Sequence, residues 1–233
     1  MNAPLAGRVV VVAGASSGIG RATAALLVSR DAHVHALARR KPDVAGATAH
    51  AVDVTDRAAV DAAVARIERL DALVYCAGTN LPKRRLDELT PAAWDEVVAA
   101  NLTGAFNLVH ASLAKLRDSR GDIVVVSSVS ARWPDASGPA YQSAKGGLSS
   151  FAHATALEER ERGIRVCAIE PGMVDTPIMD KRPRPPDAAM RAQMLRPEDV
   201  AETIAFVLAL PKRAAIAELI ILPAALQSLG RTS

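Results

Sequence analysis

Val9-Val10-Val11-Val12-Ala13-Gly14-Ala15-Ser16-Ser17-Gly18-Ile19-Gly20 decides the fold. The β-branched run that opens it is apolar at every position, as expected of a strand buried on both faces of a parallel sheet. Arg21-Ala22-Thr23-Ala24-Ala25-Leu26-Leu27 follows and reads as a helix. A strand, a glycine turn and a helix start make a dinucleotide site: the glycines permit close backbone approach, and the helix amino terminus offers free N–H groups to a pyrophosphate. The spacing is not G-x-G-x-x-G, and no Gly-Lys-Ser/Thr follows to make a nucleoside-triphosphate loop. A glycine-rich turn with no ligand is the plain alternative, but two serines and three glycines exceed what such a turn requires.

Outward from this unit, strand and helix patterns alternate. Strands are expected near 8–13, 33–38, 48–52, 71–76, 122–127, 164–169 and 216–222, and helices near 18–30, 56–69, 92–117, 140–162 and 197–209. Alternation with short connections predicts an α/β fold, a Rossmann-type doubly wound parallel sheet of about seven strands with helices on both faces. No linker or internal repeat divides the chain, so residues 1–233 are expected to form one NAD(P)-binding domain. The one compositional break, 176–196, contains Pro177, Pro183, Pro185 and Pro186 among basic residues. It follows a strand at the carboxyl edge, which favours a substrate lid over a disordered loop.

Length and composition agree. The 233 residues, half of them hydrophobic, suit one α/β domain with a substantial core. Net charge is only +3, and no basic stretch is interleaved with aromatics, so no nucleic-acid partner is expected. Cys76 and Cys167 each fall within an expected strand and read as small core residues; no spacing suggests a metal site or a disulfide. No run reaches transmembrane length and the amino terminus lacks a signal-peptide pattern, so a soluble cytoplasmic protein is expected.

Tyr141-Gln142-Ser143-Ala144-Lys145 carries the chemistry. On a helix, positions i and i+4 share a face, so phenol and ammonium can enter one cleft. A neighbouring cation lowers the phenol's ordinary pKa of about 10, which would make Tyr141 a general acid/base near neutrality. Just upstream, Ser127 and Ser128 end a strand. Adjacent strand residues face opposite ways, so only one can reach the site.

Together these regions resemble the short-chain dehydrogenase/reductase family over nearly the whole chain. Gly14, Gly18 and Gly20 match the family's cofactor turn, with Ser16, Ser17 and Ile19 between them and Ala13 where Thr is usual. Asp53-Val54 matches the segment beside adenine. Cys76-Ala77-Gly78 matches Asn-Ala-Gly, with Cys76 in place of Asn. Asn101, Ser128, Tyr141 and Lys145 match the four catalytic positions in order and spacing. Pro171-Gly172, with Val174 and Thr176, matches the stretch that closes over nicotinamide. The resemblance selects Ser128 over Ser127 and implies hydride transfer between a nicotinamide and a secondary alcohol or ketone. Tyr141 would supply the proton and Ser128 would orient the carbonyl oxygen. Lys145 would tune the phenol and grip the ribose, and Asn101 would hold a relay water or, structurally, satisfy irregular helix backbone. The alternative is a catalytically silent dinucleotide-binding sensor or scaffold.

Cofactor choice is read at the end of the second strand. An NAD-selective chain would place an acid there, but alignment with the family puts Ala38 at that position and Arg39 after it. A guanidinium meets a 2′-phosphate with paired bonds, and Arg40 and Lys41 add positive potential, so NADP is expected over NAD. The expected partner is a small carbonyl or alcohol. The carboxyl end, Ala217 to Pro223, lacks the Asp-Gly-Gly of acyl-carrier ketoreductases and is closer to the branch acting on small hydroxy acids and miscellaneous carbonyls. Lys83, Arg84, Arg85, Arg132, Lys181, Arg182 and Arg184 suggest an anion-favouring entrance, or simply a solvated basic rim. The helices near 92–117 and 140–162, with Ala99, Ala105, Ala111 and Ala114 on the first, are expected to pair across a two-fold axis in a homodimer or homotetramer.

Overall fold

A computed structural model describes residues 5–226. Seven parallel strands, β1 (Val9–Ala13), β2 (His33–Ala38), β3 (Thr48–Ala51), β4 (Ala72–Tyr75), β5 (Asp122–Val126), β6 (Arg165–Pro171) and β7 (Glu218–Ile221), form one sheet in the order β3-β2-β1-β4-β5-β6-β7. The chain winds outward from β1 to β3, then restarts with β4 on the other side of β1. That reversal opens a crevice at the carboxyl ends of β1 and β4, where ligands bind in open α/β sheets.

Successive residues of each strand supply opposite faces, which is why the runs are apolar throughout. Val11, Leu73, Tyr75, Ile123 and Val125 meet α2 (Arg57–Ala65), α4 (Gly104–Ser119) and α5 (Pro139–Glu159) through Val60, Val64, Leu108, Leu116 and Leu148. Val10, Val12, Val74, Val124 and Cys167 meet α1 (Gly18–Ser29) and α7 (Pro197–Ala209) through Ala24, Leu27, Ile204 and Leu208. At the amino-terminal edge, the buried Asp122 carboxylate gathers Arg8 (2.5 Å), Arg165 (2.7 Å) and Lys212 (3.3 Å). This ion cluster ties β1, β5, β6 and the segment after α7 together.

Several boundaries differ from expectation. The strand expected to reach residue 76 ends at Tyr75, so Cys76 lies just beyond it. The helix expected over 56–69 stops at Ala65 after starting under the Asp56 cap, whose Oδ1 accepts from the Ala59 amide. The long helix expected over 92–117 is three pieces: α3 (Pro91–Val98), a π-helical turn at Ala99–Thr103, and α4. Pro91–Ser119 is also long and apolar enough by composition to cross a membrane, contrary to the expectation that no run reaches that length. Its apolarity is explained by the sheet, against which Ala105, Leu108, Val109 and Leu116 are buried. The segment 176–196 is folded. Pro177–Lys181 forms a 3-10 turn and α6 (Ala188–Arg191) a short helix, and Arg191 ion-pairs with Asp175 and Asp180.

Candidate active site

The glycine turn fits as tightly as its residues allow. Gly14 has φ +82°, and a Cβ there would lie 2.6 Å from the Ala77 amide nitrogen. A Cβ on buried Gly20 would run into the Gly14 carbonyl. Ser17 sits at the N-cap of α1 with no side-chain capping bond, so its hydroxyl leaves the first-turn N–H groups open to an anion. Ser16 and Gly18 are half-buried beside it, while Ile19 packs on the core below. A dinucleotide pyrophosphate fits this cradle: the room is backbone-lined and the donors are free.

The remaining expected cofactor residues lie along the same carboxyl edge. Arg39 is exposed at the end of β2, next to buried Ala38. Asp53 follows β3, its Oδ1 accepting from the Thr55 amide (2.9 Å) and hydroxyl (2.8 Å). Burial raises the Asp53 pKa, but those bonds and the Arg39 charge outweigh it and hold the carboxyl below the usual range. Val54 is buried, its carbonyl taken by Asn107 Nδ2. Cys76, Ala77 and Gly78 line the crevice after β4. Burial pushes the Cys76 thiol up to about 12, so it is no thiolate at neutral pH. Pro171 ends β6, and the Gly172 amide donates to Ile221. Thr176 Cγ2 closes to 3.0 Å from where a Gly18 Cβ would stand, so the stem of the 176–196 segment rests on the glycine turn. Val174 is buried in the core and bridged to Leu195, so it has only backbone to offer a ligand.

The four catalytic candidates converge beside this crevice. Gly138 and Pro139 start α5, and Tyr141 and Lys145 share its inward face, with Lys145 Nζ 5.7 Å from the phenol ring centre. Ser128 caps a 3-10 turn, Val129–Ala131: its Oγ accepts from the Ser130 amide (3.1 Å), and its hydroxyl also interacts with the Tyr141 phenol. Ser127 turns the other way, donating to the Lys145 carbonyl (2.9 Å) and receiving a bond from Ser149 (3.0 Å). Asn101 lies in the π-turn. Its Nδ2 donates to Val97 (2.8 Å), filling the helix gap, and to Thr79 (2.8 Å), which anchors the loop after β4. Its Oδ1 is buried without a partner among the described residues, near Gly78 and Lys145. An orphaned acceptor of this kind calls for a donor such as water.

The electrostatics differ from the expectation that Lys145 lowers the phenol's pKa. Burial dominates and pushes Tyr141 up to about 12, against the opposing help of Ser128, Arg182 and Arg84. Burial also pushes Lys145 down to about 8, and its Nζ donates to the Val126 carbonyl (2.8 Å) instead of the phenol. The phenol therefore rests protonated, ready as an acid, and burial brings the amine's pKa down to about 8.

Of the basic residues expected at the entrance, Arg132 is engaged elsewhere. It pairs with fully buried Glu170 (2.5 Å) and with Glu218, which also faces His153. Arg85 pairs with Asp87, while Lys83 and Arg184 are solvated. Arg84 alone is buried. Asp135, whose charge acts on the phenol, and Ser130 and Ser137, which bond to that carboxylate, were not anticipated, because the turn 129–138 carries no regular pattern to place them.

The sequence profile of the short chain dehydrogenase family matches residues 8–187. The cis-4-hydroxycyclohexanecarboxylate dehydrogenase of Sinomonas cyclohexanicum is 40% identical over 226 residues, covering 88% of this chain and 91% of that one. A closed serine dehydrogenase structure complexed with NADP+ superposes with a TM-score of 0.86 at 25% identity, over 97% of this chain and 98% of that one. A Brucella melitensis 3-ketoacyl-(acyl-carrier-protein) reductase complexed with NADH gives a TM-score of 0.84 at 26% identity, over 95% and 99%.

Proposed function

The chain belongs to the short-chain dehydrogenase/reductase family, as an oxidoreductase that acts on alcohols with a nicotinamide dinucleotide, and we propose that it interconverts a secondary alcohol and a ketone with NADP(H), Tyr141 serving as general acid/base. One observation carries this reading: the Tyr141 phenol, the Ser128 hydroxyl and the Lys145 amine meet at the crevice beside the glycine turn. The bound cofactor supplies or accepts the hydride. In the reducing direction Tyr141 gives its proton to the carbonyl oxygen, which the Ser128 hydroxyl holds in place. Lys145, close to its own pKa, passes a proton back toward the phenolate, and a water on Asn101 Oδ1 extends that route.

NADP is favoured by Ala38 and exposed Arg39, since no carboxylate ends β2 to bind both ribose hydroxyls and repel a 2′-phosphate. Residues 176–196 act as the lid of the same domain. The molecule pairs through the outer face of α4 and α5, where Phe106 (38% exposed) meets Phe151 edge-on and Leu157 is open. Of the alanines expected at that surface, Ala105 is instead buried against the chain's own sheet. A monomer by light scattering would remove the interface.

The assay starts from ring-borne secondary alcohols, including the substrate named for the Sinomonas relative. Tyr141→Phe is expected to lower turnover by about 10²–10⁴-fold, the usual worth of a positioned general acid. NADPH affinity should stay within about threefold, under ~1 kcal/mol. A Tyr141→Phe enzyme with most of its activity would refute the assignment.

A further inference from the structure

The loop after β4 is built into the entrance of the crevice. Asn80 Nδ2 donates to the Ser137 carbonyl (3.0 Å), and Gly138 has no room for a Cβ because the Arg84 backbone fills the space. Arg84 is thus clamped against the residue that starts α5, three positions before Tyr141. Its guanidinium is nearly enclosed, with 6% of the residue exposed. Nε donates to the Leu81 carbonyl (2.7 Å) and Nη2 to the Lys181 carbonyl (2.5 Å), which joins the loop to the 177–181 turn of the lid. Of five N–H donors these spend two and leave three without a hydrogen-bond partner among the described residues.

What this arrangement lacks is an anion. Among the described residues, none of Arg84, Lys181 and Arg182 forms an ion pair with a carboxylate. Lys181 Nζ rests on the Thr79 hydroxyl (2.8 Å). Among the described residues, the carboxylate that acts on Arg84 is that of Asp135, which accepts from the Ser130 hydroxyl (2.6 Å) and the Ser137 amide (2.8 Å) and so holds its own turn. Around the phenol, Arg84 and Arg182 stand against the single carboxylate of Asp135, an excess of one positive charge, and Lys181 adds a further unpaired cation at the mouth of the same loop. Burial and the Arg182 charge press the Arg84 guanidinium toward its neutral form, a cost that a bound anion would relieve. Arg132, by contrast, carries two glutamates of its own, so the deficit is particular to this loop and lid.

We propose that Arg84, assisted by Arg182, receives a carboxylate of the substrate, so that the alcohol or ketone handled at Tyr141 belongs to a hydroxy or oxo acid. This rests on the reaction proposed above and adds its substrate class. The planar guanidinium fork matches a carboxylate, and the anion would sit between the loop after β4 and the lid, fixing the reacting carbon against the phenol.

The test uses short and cyclic oxo acids, each paired with its methyl ester, reduced with NADPH at low salt. Wild type should favour the acid by at least about 30-fold in kcat/KM, or ~2 kcal/mol. Arg84→Met should remove that advantage mainly through KM, so that each acid and its ester are reduced with similar efficiency. Because Arg84 also ties the lid, Arg182→Gln provides a second variant, since the Arg182 side chain has no bonding partner among the described residues; a loss several-fold larger on acids than on their esters is expected. Calorimetric titration with cyclohexanecarboxylate against cyclohexanecarboxamide reads the subsite without turnover, and Tyr141→Phe should retain the carboxylate's binding. Esters reduced as well as acids, with no preference for carboxylate over amide, would overturn the subsite and leave the reaction standing. Carboxylate binding with no turnover of any pair would do the reverse.

Discussion

Lys145→Met should make the ligand-free protein more stable and less active at once. Lys145 is 4% exposed, and its pKa falls from 10.5 to about 8, chiefly through burial. At ~1.36 kcal/mol per unit, that shift means the folded state carries a cost of about 3 kcal/mol for the buried ammonium at neutral pH. Methionine has a similar length and no charge. It forfeits the bond to the Val126 carbonyl, about 1 kcal/mol, which leaves a net gain near 2 kcal/mol. The pH dependence has a definite sign. Below about pH 8 both folded and unfolded chains hold the proton, and the full cost is present. Between about 8 and 10.5 the unfolded chain binds more protons than the folded one, so wild-type stability rises with pH; above about 10.5 both are neutral and the cost is gone. Urea titrations followed by the fluorescence of Trp94 and Trp133 should therefore show the variant ahead at about pH 7, and the lead lost and slightly reversed near pH 10.5, where only the missing bond to Val126 remains. In a thermal scan the neutral-pH advantage corresponds to roughly 4–8 °C. Turnover should collapse in the same protein, as expected where a destabilising group is kept for function. A variant less stable than wild type at pH 7, or a gap of equal size at both pH values, would refute the reasoning.

Other expectations address the cofactor and the frame. Ala38→Asp with Arg39→Ile should reverse a preference for NADPH over NADH of at least about tenfold, ~1.4 kcal/mol; wild type binding both equally in a fluorescence titration would sink the assignment. Gly20→Ala drives a methyl group into the Gly14 carbonyl and should cost about 1–3 kcal/mol in urea while weakening dinucleotide binding. Asp122→Asn leaves Arg8, Arg165 and Lys212 without their shared anion and should cost about 3 kcal/mol at neutral pH. Burial works against the Asp122 charge, but Arg165, Arg8 and Lys212 outweigh it and depress its pKa. Its contribution is present above the ordinary carboxylate pKa and is lost as pH falls through the depressed one, so the variant should lack that part of the wild-type acid limb.

The sequence by itself determined the sheet, the glycine cradle and the spacing of Tyr141 and Lys145. These are local or periodic properties: Val9 to Val12 are apolar on both faces because both faces are covered, and two residues four apart on a helix share a side whatever surrounds them. The end of β2 was equally readable, since Ala38 and Arg39 are consecutive. Tertiary structure decided what depends on residues remote in the chain. The helix over 92–117 widens into a π-helical turn at Asn101, whose amide reaches Thr79, 22 positions earlier, as well as Val97. Tyr141 and Lys145 shift away from their ordinary pKa values because packing excludes water, a quantity that no spacing encodes. Seven basic residues around the site looked alike in the sequence. Only the fold supplied glutamates to Arg132 and left Arg84 enclosed without one, because ion pairing depends on which side chains the sheet and the 176–196 segment bring within reach.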